Sequence, residues 1–225
     1  MSPILRRMVQ LLLLTAVQGV VLFASAGDLS WPAGWVYLGA YAGMITVAAA
    51  VLLPRRPEVV AERSRGRAGG KTWDLWITRL LILPSLGILA VAGLAVRWDW
   101  SPSIAAALRL PGVALFVTGY ALVVWAMYCN TYFSQVVRIQ TERGHTVVSD
   151  GPYARVRHPG YVGMTASAFG SVLLLGSAWS LVPWVLYLVL IVVRTALEDR
   201  TLRAELPGYA DYATRTRYRL VPRVW

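Results

Sequence analysis

A chain of 225 residues that is 57% hydrophobic, only 15% charged and of mean hydropathy +0.54 is too apolar for an ordinary soluble domain and suits a bundle of membrane spans. A net charge of +11 would point to nucleic acid in a soluble protein; here the positive residues lie between apolar runs, so anionic lipid and membrane orientation account for them and no nucleic-acid partner is expected. The one cysteine, Cys129, lies within an apolar run, which excludes a disulfide framework.

The first apolar run, Met8 to Gly27, follows Arg6 and Arg7. Its basic start and small residues resemble a signal peptide, but it exceeds the roughly 7–15 residues of a signal core, so a retained span is expected. The second span covers Ala33 to Leu53, entered by Trp31 and Trp35 and stopped by Pro54-Arg55-Arg56-Pro57. A polar connector follows. Its Gly66-Arg67-Ala68-Gly69-Gly70-Lys71-Thr72 resembles a phosphate loop, yet Arg65 stands where that motif needs glycine, and the segment reads as a flexible basic loop. The third span runs from Leu75 to Val96 with a kink expected at Pro84, and the fourth from Pro111 to Cys129. After the polar stretch Asn130 to Asp150, a fifth apolar segment covers Gly160 to Leu175 and a sixth Leu181 to Leu197. Both are close to the minimum of about 17 residues for spanning, which predicts a hairpin that crosses only in part. The tail from Glu198 reads as an amphipathic piece on the interface, with Arg215, Arg217, Arg219 and Arg223 against anionic lipid.

The expected architecture is therefore all-α: five to six transmembrane helices in one membrane domain, 1–225, with four spans in 1–129 and the core of the site in 130–225. Charge placement orients it. The N-terminal arm, the 54–74 connector, the 130–159 segment and the tail from Arg194 carry 2, 6, 4 and 7 basic residues, 19 of the 22. That bias predicts both termini cytoplasmic in a multi-pass protein. Nothing in the sequence indicates an oligomeric state.

The stretch Gly151 to Met164 concentrates reactive side chains between apolar segments. Pro159 suits the first turn of a helix and pushes His158 into an extended conformation. A helix start beside Arg155, Arg157 and His158 suits a carboxylate or phosphate, and a basic loop touching lipid head groups is the simpler alternative. Arg194 and Glu198 lie one turn apart at the end of the last span. Either they form an ordinary ion pair, or they are the two charged groups of a site opposite Pro159, with Tyr153 and Tyr161 near. Such a site fits a zwitterion: Glu198 for an ammonium, the helix start for a carboxylate, tyrosine faces for a sulfonium. With His145 and His158 the only histidines, no metal site is expected.

Two groups of residues then carry a likeness. His145-Thr-Val-Val-Ser-Asp-Gly-Pro-Tyr153 with Arg157-His158-Pro159-Gly-Tyr161-Val-Gly163, and Arg194 followed by Glu198-Asp199, Leu202, Gly208-Tyr209-Ala-Asp-Tyr212 and Arg219-Leu-Val-Pro222, resemble the isoprenylcysteine carboxyl methyltransferase family and its phospholipid methyltransferase relatives. The resemblance covers Phe133 to Trp225. It implies a membrane enzyme that moves a methyl group from S-adenosyl-L-methionine to a lipophilic substrate entering from the bilayer, among membrane lipids. Carried over by motif, His145, Thr146, Val147, Val148, Tyr153, His158, Pro159, Gly160, Tyr161 and Glu198 would surround the cofactor, and Arg194 would face the substrate carboxylate. Arg194, Glu198 and His158 are the catalytic candidates. Arg138 stands where the family has another cofactor contact of different type, and Asp199 replaces the second member of a Glu-Glu pair. A carboxylate acceptor needs no base, whereas an amine acceptor, as in phospholipid methylation, would need a proton removed. Arg194 tilts the reading to the carboxylate. A non-catalytic lipid-binding protein is the third reading.

Overall fold

The computed structural model describes residues 1–100 and 102–225. Among them the chain is helical, with short 3-10 turns and one isolated antiparallel bridge between Ser103 and Ser177. The all-α expectation holds.

Helix α1 (Pro3–Ala26) opens with a side-chain cap, the Leu5 N–H donating to the Ser2 hydroxyl at 3.2 Å, and with proline in its first turn. Helix α2 (Pro32–Arg55) runs through Pro54 rather than stopping at it, and Pro57 then starts a short helix, α3 (Pro57–Ser64). The connector is thus half helical, because Pro57 is pre-set for a first turn and Glu58 lies where the helix dipole favours an acid. The third span is two helices, α4 (Thr72–Leu80) and α5 (Ile82–Arg97), broken at Leu81. Pro84 explains the break: it cannot donate to Leu80 and its ring crowds that carbonyl. Helix α6 (Arg109–Cys129) is the fourth span, and α7 (Pro159–Leu175) and α8 (Leu181–Glu205) follow, with α9 (Tyr209–Arg215) in the tail.

Among the described residues, five segments are long and apolar enough to cross a bilayer: Pro3–Ala26, Pro32–Arg55, Thr72–Arg97, Ala106–Cys129 and Ala178–Glu205. The protein is a multi-pass membrane protein, and Leu12, Leu83 and Val182, 70%, 70% and 66% exposed, present apolar surface suited to lipid. The short partly crossing hairpin expected from the last two runs is corrected on one side. Only α7, at 17 residues, is short; α8 extends to Glu205 and carries Glu198 inside its helix rather than in the tail.

Helices α6 and α7 are the closest pair, and glycine is the reason. A Cβ at Gly163 would stand 2.4 Å from the Gly119 carbonyl oxygen, and one at Gly170 2.5 Å from the Phe116 nitrogen. Between them the Ser167 hydroxyl donates to the Phe116 carbonyl at 3.2 Å. Small residues let two backbones touch where lipid offers no hydrophobic drive for association.

At one end of the bundle the N-terminal arm, the connector, the 130–158 segment and the tail meet. Gln10 Nε2 donates to the Ser64 carbonyl at 3.2 Å, the Lys71 N–H to Val137 at 3.0 Å, and Lys71 Nζ pairs with Glu205 at 2.7 Å. The four basic segments therefore share an end, as the charge pattern requires.

Candidate active site

The wall after α6 is built by aromatic stacking and a buried amide. Gln140, 1% exposed, donates from Nε2 to the Tyr132 carbonyl at 2.6 Å. The His145 ring lies on Tyr132 with centroids 4.3 Å apart, and its Nδ1 accepts from the Gln140 N–H at 3.3 Å. Burial, then the charges of Arg138 and Arg143, lower the His145 pKa to about 4, so the ring is neutral at physiological pH. Thr146, Val147 and Val148 continue this wall.

The segment before α7 is tied to the tail like two strands of a ladder. The Arg157 N–H donates to the Tyr218 carbonyl at 2.9 Å and the His158 N–H to that of Arg219 at 3.0 Å. His158 has φ −127° and ψ 61°, outside the helical region that Pro159 disfavours but short of the extended conformation expected from the sequence. Tyr153 is pinned by Tyr212, whose hydroxyl donates to the Tyr153 carbonyl at 2.7 Å. The tail is thus no lipid-facing strip. Leu206, Tyr209, Tyr212 and Ala213 are buried against Val147 and Leu202, and Arg219 bonds a carboxylate, because the tyrosine-rich face found a protein partner before it found lipid.

At the start of α7, Gly160 packs beneath the Phe133 ring, where a Cβ would stand 2.8 Å from it. The Tyr161 hydroxyl donates to the Glu198 carboxylate. Tyr161 also stacks on His158 at 5.8 Å and holds the Arg194 guanidinium 5.2 Å from its ring centre. The proline-led helix start and the end of α8 therefore face each other.

Arg194 and Glu198 do not pair. Arg194, 6% exposed, uses Nε and Nη2 on both oxygens of Asp74, at 2.7 and 3.1 Å, and Nη2 again on the Gln135 carbonyl at 2.9 Å. Its two-pronged face is thus occupied; only Nη1 makes no hydrogen bond among the described residues. Asp74, fully buried, also accepts the Val137 N–H at 2.7 Å. Among the described residues no cation lies within 4 Å of Glu198, although Arg194 is near enough to act on its charge.

Asp199, one residue on and about 100° round the helix, points to the tail. It accepts from Arg157 Nε at 2.7 Å, Arg203 Nε at 3.2 Å, Arg219 Nε at 3.1 Å and the Tyr209 hydroxyl at 3.0 Å. His158 Nε2 lies 3.6 Å from the same carboxylate and 3.5 Å from the Tyr209 oxygen. Burial and the Asp199 charge push the Tyr209 hydroxyl well above its ordinary pKa; burial also raises Tyr153, and Tyr212 to about 12. These tyrosines are hydrogen-bond donors and no bases.

All of this encloses one cavity of about 720 Å³. Its walls include His145, Thr146, Val147, Val148, Tyr153, His158, Gly160, Tyr161, Arg194 and Glu198, so the residues singled out in the sequence converge on one space. Pro159 is the exception: it is fully buried and shapes the backbone without facing the cavity. Arg138 lines it but is spent on Glu62 at 2.8 Å and Glu142 at 2.7 Å. Glu198 is the one carboxylate among the lining residues. The cavity continues between the spans past Tyr37, Leu89 and Phe116, where it is apolar. Sequence reading missed Asp74, an acid at the head of the third span between Trp73 and Leu75, whose cost of burial was the available signal. It also left Asp199 unassigned.

The isoprenylcysteine carboxyl methyltransferase family model matches residues 112–204. A protein-S-isoprenylcysteine O-methyltransferase of Schizosaccharomyces pombe is 44% identical over 57 residues, 23% of this chain and 24% of that protein. The cobalt-zinc-cadmium resistance protein CzcN of Cupriavidus metallidurans is 31% identical over 131 residues, 53% of this chain and 51% of that one. The chain thus spans about a quarter and about half of the length of the curated relatives it matches. Among the described residues no three His, Cys, Asp or Glu side chains come together as metal ligands.

Proposed function

We propose that this chain, whose residues 112–204 belong to the isoprenylcysteine carboxyl methyltransferase family, is an integral-membrane methyltransferase that transfers a methyl group from S-adenosyl-L-methionine to a carboxylate on a lipophilic substrate. The observation that carries the reading is the cavity itself: one carboxylate ringed by tyrosines at its polar end, an apolar extension among the spans at the other.

The residues fit such a donor. Glu198 forms no ion pair among the described residues and is set for the ammonium of a zwitterion, its orientation fixed by Tyr161. Tyr153, Tyr161 and His158 offer ring faces to a sulfonium. Gly160 lets the Phe133 ring close over the start of α7, where a Cβ would stand 2.8 Å from it. When bound, S-adenosyl-L-methionine supplies a methyl on a positively charged sulfur, ready for in-line displacement in which that charge is lost. What the protein supplies is placement and exclusion of water. A carboxylate acceptor is already a nucleophile, so no proton has to move, which agrees with tyrosines held protonated and His145 held neutral. Arg194 would meet the acceptor through Nη1 alone, its other nitrogens being fixed by Asp74 and Gln135, so it positions one oxygen rather than clamping two. Tyr209 and Tyr212, held by the ladder between tail and Arg157–His158, cap the polar end against water. Leu14 and Val17 of α1 and Ile82 of α5 line the cavity and remain 44%, 45% and 44% exposed, a route by which a lipid chain enters sideways from the bilayer. The polar end would face the cytoplasm, with both termini.

Binding of labelled S-adenosyl-L-methionine to the detergent-purified full chain tests the first half, with saturable binding expected and loss of at least tenfold in Glu198→Ala. Base-labile methyl label in lipid extracts tests the second. Undiminished binding in the variant overturns the site, and stable label on an amine head group overturns the ester.

A further inference from the structure

Six arginines line the cavity: Arg7, Arg63, Arg67, Arg138, Arg157 and Arg194. Three have carboxylates, as described, and Arg67 bonds the Thr78 hydroxyl and carbonyl at 3.3 and 3.2 Å. Arg7 and Arg63 differ. Among the described residues no carboxylate lies within 4 Å of either. Arg7 reaches only Gln10 Oε1, at 3.3 Å, and Gln10 in turn bonds α3. Arg63 touches the Ser134 carbonyl at 3.5 Å, a marginal hydrogen bond, and sits 5.4 Å over the Phe133 ring. Burial, and after it repulsion from the Arg7 guanidinium, lowers the Arg63 pKa to about 9. Tyr41 and Tyr120, edge to face at 6.2 Å, stand in the same part of the wall, close enough to act on both charges. The Tyr120 hydroxyl has no hydrogen bond among the described residues. Two uncompensated cations at the mouth of an apolar chamber are costly unless an anion joins them.

We propose that Arg7 and Arg63, with the Tyr120 hydroxyl, form an anion subsite, separate from Arg194, for the carboxylate or phosphate head group of an amphiphile whose chain lies in the apolar part of the cavity. Two guanidiniums supply the forked donors that either acid accepts. Its two arginines belong to α1 and α3, outside the 112–204 region that holds Tyr120, so they would set which amphiphile this chain takes. It deepens the reading above by naming the substrate class, an amphiphile that carries this acid besides the carboxylate presented to Arg194, and rests on that reading only for the claim that the amphiphile is methylated.

The test is equilibrium binding of hexadecanoate, hexadecyl phosphate and the uncharged hexadecanol to the purified full chain, followed by tryptophan fluorescence beside S-adenosyl-L-methionine binding. Both acids are expected to bind at least tenfold more tightly than the alcohol. Arg63→Gln and Arg7→Gln should each cut that preference about tenfold while leaving S-adenosyl-L-methionine binding within twofold. Arg63→Lys, which keeps charge and fold but loses the fork, should retain part of it. Equal affinity for acid and alcohol, or a preference untouched by both glutamine variants, overturns the subsite. Inorganic phosphate displacing hexadecyl phosphate at equal concentration shows that a free anion is the ligand and overturns the amphiphile. An acid preference that follows the arginines in a protein that binds no S-adenosyl-L-methionine sustains the subsite and removes the methyltransferase reading.

Discussion

Adjacent acids on α8 have opposite duties because one residue turns the helix by about 100°. Glu198 looks into the cavity, where its single partner is Tyr161; Asp199 looks away, where it gathers Arg157, Arg203, Arg219 and Tyr209. Glu198→Gln should therefore weaken donor binding at least tenfold with little change in melting temperature, read from binding and thermal unfolding of the same preparation. Asp74→Ala should do the reverse of a mild surface change. It strands the buried Arg194, and losing one partner of a buried pair costs about 3–5 kcal/mol, so the detergent-purified variant should melt far lower or fail to fold. His145 sets a pH dependence. Its pKa falls from 6.5 to about 4 on folding, so between those values the unfolded chain binds the proton and the folded chain does not. The stability it contributes is complete above pH 6.5 and is lost as pH falls towards 4. Thermal unfolding between pH 7.5 and 4.5 should show that slope, reduced in His145→Gln.

Among the elements, α6 and α7 depend on absent side chains. Gly163→Ala drives a methyl group to 2.4 Å from the Gly119 carbonyl, and overpacking of that kind costs about 1–3 kcal/mol. Gly43→Ala, with nothing within 4 Å, should leave stability unchanged or raise it, since alanine is the better helix former. Melting temperatures of the two variants in one detergent make the comparison. If Gly163→Ala proves as harmless as Gly43→Ala, the close packing is not what holds α7. The consequence reaches the site, because α7 carries Gly160 and Tyr161 and, at 17 residues, is at the lower limit for crossing a bilayer.

On the scale of the whole molecule, the tail is a wall of the cavity rather than a strip on the lipid surface. Its backbone pairs with Arg157 and His158, and its arginine Arg219 lies on Trp225 at 4.7 Å while bonding Asp199. Removing residues 216–225 should therefore abolish donor binding while the protein still inserts into membranes, which binding and membrane fractionation would show. The four basic segments meeting at one end explain how groups from α1, α3, α7, α8 and the tail line one space.

What the amino-acid order determined by itself was whatever rests on local chemistry: apolar runs long enough to span, the helix break near Pro84, the proline-led start of α7, and the lopsided arginines. His158 and Tyr161 were legible at the proline-led start of α7, and Arg194 and Glu198 as charges closing an apolar run, although α8 continues past them to Glu205. Who bonds whom was left to the tertiary structure. Arg194 is four residues from Glu198, a local geometry that permits a pair, yet Asp74, 120 positions away, takes it. The physical reason is burial: in a low-dielectric interior a carboxylate that meets both nitrogens outcompetes a one-turn neighbour, and only folding brings that carboxylate there.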